Sequence, residues 1–475
     1  MAASIINHFP FDSFRMGQEE VLSAVESNWD KYDVFVLRCP VAFGKSSIAA
    51  AIQSWELSRG NGTSIITPSN LLRNQYLEEF SHMRTVKSQD EYWLPKYNMT
   101  EREFRKDIYK WGPKGSEYTS DYQAVRRKST SVVVNYYSYL AHKLQRQCLI
   151  VDEAHNLLGT LQDLSAKTLW QHDYGYPQSA TSVGDLLEWL GSSSRSDDKL
   201  GRLRTSLHSA TPHSLVRMAV ESYRGVDKPC LKITPLSVAD LPNPFLGKKT
   251  DKIVLMSATI GAMDIEKLGL ASKRVLYIDV PSSIPTDRRP IIFDPVANMS
   301  YSYQEDSIED LAKKLLTLAD SYSGKGFVHA TYSMAEKLKP HLAHDDRFIF
   351  HSQDKKEKRD KYSDYYALPR QSGKVMIGSG MVEGLDLKGD VAEWQALTKV
   401  PYPSLADPSM RHLAENERDY YNWMVSRDVM QASGRICRGP DDRGATHLLD
   451  SQFYVWYNKY SSSLPKWFTE AVVGM

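Results

Sequence analysis

Residues 39–47 read CPVAFGKSS, a near match to the phosphate-cradling loop G-x-x-x-x-G-K-[ST] in which Cys39 stands where the first glycine is usual. Its flanks decide how it is read. VFVLRC (34–39) is an apolar, β-branched run suited to a buried strand, and GKSSIAAAIQSWEL (44–57) spaces Ile48, Ile52 and Trp55 along one helical face. Strand, turn and helix stand in the order phosphate binding requires, with backbone N–H groups and the positive end of the helix dipole facing the phosphate oxygens. Pro40, Val41, Ala42, Phe43, Gly44, Ser46 and Ser47 would form the cradle, Lys45 would reach the terminal phosphates, and Ser46 would ligate magnesium. Taken alone, the motif also reads as an ordinary strand-to-helix turn with an exposed lysine.

A second anchor is LIVDEAHNLLG (149–159), an apolar strand ending in Asp152 and Glu153. In an open parallel sheet a carboxylate at a strand's C-terminal end lies beside the phosphate loop, so Asp152 is a candidate magnesium partner. Glu153 would orient and deprotonate the attacking water. Each motif strengthens the other.

Further apolar runs alternate with helical patterns: TSIIT (63–67), SVVVN (131–135), CLIVD (148–152) and KIVLMS (252–257), then GFVHA (326–330), RFIFH (347–351), KVMIGS (374–379) and ATHLLD (445–450). Between the two series, residues 304–320 place Ile308, Leu311, Leu315 and Leu318 on one helical stripe. The pattern predicts an α/β fold of two doubly wound parallel-sheet domains in tandem, 1–285 and 286–475, joined by the proline-rich VPSSIPTDRRP (280–290). Two stretches break the rhythm as insertions in the first domain. One is 81–130, polar and aromatic; the other is 157–232, with the linker-like GSSSRSDDKLGR (191–202).

Composition excludes several classes. No apolar run approaches the length needed to span a bilayer, 41% of residues are hydrophobic and 25% charged, and the net charge is +1, so no overall field announces a polyanionic partner. Any nucleic-acid contact has to be local. Segment 101–128 interleaves eight Lys/Arg with Tyr109, Trp111, Tyr118 and Tyr122, a composition that fits phosphates and stacked bases and equally a solvated face. Cys39, Cys148, Cys230 and Cys437 are scattered singly, and the N-terminus shows no secretory pattern, so a soluble protein of a reducing, cytoplasmic compartment is expected.

DEAHNL followed by VLMSATI (254–260) resembles superfamily 2 helicases of the DinG/XPD-like branch, whose sheet domains are RecA-like. The resemblance extends through FPFDSFRMGQ (9–18), TPSNLLRNQ (67–75), VVVNYYSYL (132–140), LKITPLSV (231–238), GSGMVEGLDLKGD (378–390), KVPYPSLADP (399–408) and QASGRICRG (431–439). It implies that Arg15 and Gln18 lie near the adenine and that Glu383, Gly384 and Asp386 belong to the nucleotide site. It also implies that Gln431, Arg435 and Arg438 act across the cleft, the arginines on the transferring phosphoryl group. Thr67, Asn135 and Tyr136 would contact the strand or couple to it, and His155, Ser257 and Thr259 would transmit closure.

Many members carry an iron–sulfur cluster on four cysteines between the phosphate loop and the D-E-A-H strand. Segment 81–130 has none, so no thiolate-ligated cluster is expected there. The aromatic residues of that segment are a candidate substitute in parting a duplex.

The resulting expectation is an ATP- and magnesium-dependent DNA helicase or translocase acting as a monomer on single-stranded or forked DNA. The resemblance implies 5′ to 3′ movement and work with replication or repair proteins. The rivals are an RNA-stimulated ATPase or RNA helicase and a catalytically weak nucleic-acid-binding scaffold. Among superfamily 2 loops of the form A-x-x-G-x-G-K-T, the larger departure is Ala42, which stands where a second glycine is usual. The second insertion spans only about 75 residues and little extends beyond the second sheet domain, a compactness that would suit a bacteriophage or mobile-element protein.

Overall fold

A computed structural model describes the chain apart from residues 1–3, 128–129, 178, 181, 193–197, 209–213, 224–225, 240–244, 246–249, 301, 379–386, 388, 390, 438 and 440. The first sheet begins with β1 (Val34–Arg38), β2 (Thr63–Thr67), β3 (Val132–Asn135) and β4 (Cys148–Asp152). An inserted unit then supplies β5 (Lys167–Trp170), β6 (Ser214–Tyr223) and β7 (Val226–Pro235), after which β8 (Lys252–Ser257) and β9 (Val275–Asp279) complete the sheet. Its order is β9-β1-β8-β4-β2-β3, all parallel. Strands covered by helices on both faces read as continuous apolar runs, and β2, β3 and β4 are buried at every position.

The second sheet comprises β10 (Ile291–Ala297), β11 (Gly326–His329), β12 (Phe348–Phe350), β13 (Val375–Gly378), β14 (Trp394–Leu397), β15 (Ala445–Asp450) and β16 (Val472–Val473). These lie in the order β12-β13-β11-β14-β15-β10-β16, again parallel throughout. Residues 280–290 run from the last strand of one sheet to the first of the other. Two doubly wound parallel sheets in tandem are therefore the architecture.

Six helices matter below: α1 (Lys45–Ser58), α2 (Asn70–Glu79), α3 (Val183–Ser192), α4 (Asp198–His208), α5 (Gln304–Ser321) and α6 (Arg418–Ser433). In α5, Leu311 and Leu315 are fully buried and Ile308 and Leu318 nearly so, the stripe its sequence spacing predicts. The inserted unit is an antiparallel sheet, order β5-β7-β6, with Leu186 and Leu190 of α3 and Leu203 and Leu207 of α4 in its own small core. Of the linker-like stretch 191–202, residues 193–197 lie outside the described residues, and the described part on either side is helical. Residues 198–202 open α4, because Leu200, Leu203 and Leu207 supply an apolar face that the polar start of the segment conceals.

The order of the first sheet positions the site. β1, β8 and β4 are neighbours, Arg38 pairs with Ser257 and Met256 with Asp152, so three strands end at one level beside the phosphate loop. Their following residues converge. The insertion at 81–130 folds as a short hairpin, Trp93–Leu94 against Met99–Thr100, and two helices, Glu101–Asp107 and Glu117–Val125.

Candidate nucleotide site

Between β1 and α1 the chain turns through two left-handed residues, Ala42 at φ 68° and Gly44 at φ 82°. Gly44 needs to be glycine on two counts: its φ, and the side-chain amide nitrogen of Gln18, which would lie 2.7 Å from an added Cβ. At Ala42 the Cβ is present, and a left-handed residue of this kind costs about 1 kcal/mol. The loop is braced from upstream. Gln18 Nε2 donates to the Phe43 carbonyl at 2.7 Å and to Ser47 Oγ at 3.1 Å, its Oε1 accepts from the Arg15 N–H at 2.8 Å, and Arg15 Nη1 donates to the Ala42 carbonyl at 3.2 Å. Gln18, placed at the adenine by resemblance, is thus buried and committed to the loop itself; Arg15 stays partly free on the surface.

Lys45 heads α1 and its Nζ meets Glu153 Oε1 at 2.7 Å. Burial works against its charge, but the carboxylates of Glu153 and Asp152 outweigh it and the ammonium is pushed up to about 12. Glu153 also has left-handed backbone, φ 47°, so two of the four non-glycine residues with positive φ among the described residues flank Lys45. Strained backbone of this kind persists where the surroundings over-determine it. Asp152 is 3% exposed, and burial, opposed by Lys45 and aided by Glu153, raises its carboxyl to about 6. Its Oδ1 accepts the Glu153 N–H at 2.9 Å and its Oδ2 accepts the Tyr76 hydroxyl at 2.9 Å. Ser46 Oγ lies 3.1 Å from Glu79 Oε2.

His155 connects the D-E-A-H turn to β8: Nδ1 is 2.8 Å from Ser257 Oγ, and burial holds the imidazole down to about 4, so it is neutral near pH 7. The Thr259 N–H also donates to Ser257 Oγ, at 3.1 Å, and Thr259 Oγ1 accepts from Gln431 Nε2 of the second domain at 3.3 Å. A Cβ at Gly434 would come within 2.9 Å of Val41 Cγ2, so the turn after α6 lies directly on the phosphate loop. Arg435 follows it, close enough for its charge to lower His155 and His329 further. Pro40, Val41, Ser433 and Gly434 share one small hollow between the two domains. Arg438, Glu383, Gly384 and Asp386 lie outside the described residues.

The residues expected to contact the strand or couple to it lie in the interior. Thr67 is fully buried, Asn135 caps the next helix by accepting the Ser138 N–H at 2.7 Å, and Tyr136 is 1% exposed with its hydroxyl on the Asp152 carbonyl at 3.1 Å. Tyr136 is therefore a support behind the D-E-A-H turn and cannot stack on a base in this conformation. The neighbouring Tyr137, 57% exposed, is the aromatic that faces solvent. Burial pushes the Cys39 and Cys437 thiols up to about 12, which leaves neither a thiolate nucleophile.

Sequence reasoning missed a lock between the domains. Asp264, after the S-A-T turn, accepts the Gly261 N–H and the Trp423 indole N–H, each at 2.8 Å, and Lys267 pairs with Glu417 at 2.5 Å. Capping geometry at Gly261 could have suggested Asp264; nothing local pointed to Trp423. Among the described residues no group of three or more His, Cys, Asp or Glu side chains is arranged to hold a metal, and no helix is long and apolar enough to cross a membrane.

Two family profiles match the chain: "Type III restriction enzyme, res subunit" over residues 12–173 and "Helicase C-terminal domain" over residues 307–471. The ATP-dependent DNA helicase YoaA of Escherichia coli (strain K12) is 24% identical over 236 residues, 47% of this chain and 36% of that protein. The regulator of telomere elongation helicase 1 homolog of Drosophila willistoni is 35% identical over 98 residues, 18% of this chain and 10% of its own length. The matched segments thus span well under half of these relatives. Among solved structures, S. tokodaii Xpd4 superposes with a TM-score of 0.59 at 16% identity, covering 96% of this chain and 99% of that one. An XPD helicase gives 0.62 at 15% identity, covering 95% and 98%. The second domain thus matches a helicase profile, the first a restriction-enzyme res-subunit profile, and the two together share the fold of XPD helicases.

Proposed function

We propose that the chain is an ATP-driven motor on single-stranded DNA, moving 5′ to 3′ and parting duplex at a fork. The observation that carries this reading is that the Lys45–Glu153 pair beside Asp152 lies at the seam of two parallel-sheet domains, where Gly434 abuts Val41 of the same loop, Gln431 bonds Thr259 and Arg435 comes near His155. Residues 1–285 and 286–475 are the two moving units.

The chemistry follows from the side chains. ATP would seat its phosphates on the N–H groups of residues 42–47, and Lys45 would exchange Glu153 for the terminal phosphates, where its charge is better used. That exchange frees Glu153 Oε1 to accept the proton of an attacking water. Ser46 and Asp152 offer the hard oxygen donors that magnesium takes, with the remaining ligands to come from phosphate and water. Bound with the nucleotide, the ion neutralises phosphate charge. Arg435, and Arg438 by resemblance, would supply positive charge from the second domain, so hydrolysis and release change the force holding the cleft closed. Gln431 on Thr259 and His155 on Ser257 would carry that change toward the strand.

For the nucleic acid, the insertion at 81–130 supplies aromatic surface: Trp93, Tyr109 and Trp111 are each more than half exposed, and the Lys110 ammonium stands 5.0 Å from the Trp111 ring centroid. Arg73 holds the segment through two bonds to Glu91, at 2.7 and 3.2 Å. Such a cationic, aromatic surface suits unpaired bases.

ATP turnover by the native chain and Lys45→Ala, without nucleic acid and with single-stranded DNA or RNA, tests the reading. Stimulation by DNA that vanishes in the variant is expected. Equal turnover in both proteins would remove the assigned site, and stimulation by RNA alone would move the substrate. Duplexes with 5′ or 3′ overhangs then test direction.

A further inference from the structure

We propose that Tyr76 and Glu79, neighbours on the last turns of α2, are positioning residues for the two groups that would hold the nucleotide's magnesium, Asp152 and Ser46. The inference rests on the nucleotide reading above and names residues that no motif assigned.

An aspartate at the end of a strand turns freely about its terminal torsion, with two broad orientations. Asp152 does not have that freedom. Glu153 N–H holds one carboxylate oxygen and Tyr76 the other, both at 2.9 Å, and Tyr76 is 1% exposed. Each oxygen is left with lone-pair capacity for one more partner, so the carboxylate plane is fixed without being used up. The tyrosine hydroxyl is fully committed to this contact and too buried to reach substrate; it acts only through Asp152.

On the other flank, a serine that ligates a cation offers an oxygen lone pair, and its own proton must be given to some acceptor pointing away from the ion. Glu79 is that acceptor, 3.1 Å from Ser46 Oγ. Residues three apart share a helix face, so one short stretch of α2 addresses both ligands at once. Ligand-orienting partners of this kind change metal affinity by about 10–100-fold when removed. A tyrosine that merely satisfies its hydroxyl in the core would show no such selectivity for the metal.

The full-length protein tests this by the binding of a fluorescent ATP analogue, titrated with magnesium and repeated in EDTA. Tyr76→Phe removes one hydroxyl, and Glu79→Gln, on an exposed side chain, weakens one acceptor. In both variants the magnesium concentration for half-maximal binding is expected to rise about tenfold, with affinity in EDTA unchanged. An unchanged magnesium requirement in both, or an equal loss with and without magnesium, would overturn the proposal. Should Tyr76→Phe fail to fold, Glu79→Gln alone decides by the same two criteria. Failure of the native chain to bind the analogue at all would instead reject the nucleotide reading, and this inference with it.

Discussion

The indole of Trp423, on α6 of the second domain, donates to the carboxylate of Asp264 in the first at 2.8 Å, and its ring lies so close to Gly261 that an added Cβ would stand 2.6 Å from it. Asp264 is buried, and burial raises its carboxyl above the usual range. A buried acceptor stripped of a donor keeps its desolvation cost. Trp423→Phe should therefore destabilise the chain by about 1–3 kcal/mol, measured by urea denaturation, while leaving nucleotide contacts intact. A variant as stable as the native chain would show that the two domains do not rest on this contact in solution.

Ala42 holds a left-handed conformation with a side chain attached. Ala42→Gly relieves about 1 kcal/mol of local strain, offset in part by the greater freedom of glycine in the unfolded chain. Turnover should persist, and nucleotide affinity should change by less than about tenfold, the equivalent of 1.4 kcal/mol. A change of a hundredfold or more in binding would mean that Ala42 does something other than bend the loop.

Trp111 is 65% exposed beside Lys110. Each base stacked on an aromatic side chain contributes about 1–3 kcal/mol, so Trp111→Ala should weaken single-strand binding by roughly five- to a hundredfold without lowering basal ATP turnover. Fluorescence anisotropy with a labelled oligonucleotide reads this directly. Deleting 90–125 should reduce strand displacement; a deletion variant equal to the native chain would leave the segment with no part in it.

Burial holds His155 and His329 down to about 4, against 6.5 for the free side chain. Between those values the unfolded chain binds protons that the folded chain refuses, so both histidines contribute stability that is complete above pH 6.5 and lost as pH falls through about 4. For His155→Asn, the loss of stability from pH 6.5 to 4 should be shallower by up to about 1.4 kcal/mol per pH unit, the share of one proton. A pH profile parallel to that of the native chain would place His155 in solvent contact.

Much of this architecture was legible in order. TSIIT, CLIVD, KIVLMS and ATHLLD match their strands residue for residue, because strands covered on both faces are built around apolar, β-branched runs. β14 escaped notice because it is only four residues long and carries Gln395, whose buried amide bonds to the Ala432 carbonyl and Thr446 Oγ1. β9 carries a short apolar run, Val275–Ile278, but as an edge strand it is only half-buried. In the site, the residues of local motifs could be named from the sequence, whereas Tyr76, Glu79 and Trp423 could not. Their roles come from contacts across long stretches of chain, and a buried tyrosine or tryptophan looks the same in sequence whether it fills space or aims a carboxylate.

Gly434, like Gly261 against Trp423, sits at a close approach between the two domains. Its backbone lies at φ −78°, which any residue can adopt, so only the 2.9 Å to Val41 keeps a methyl group out. Alanine there would act as a doorstop, propping the cleft ajar by roughly a few tenths of an ångström while the groups of the candidate site stayed in place. On the function proposed above, such a variant would still hold nucleotide and strand but close less completely, so a position that contributes no side chain limits how far the cleft shuts.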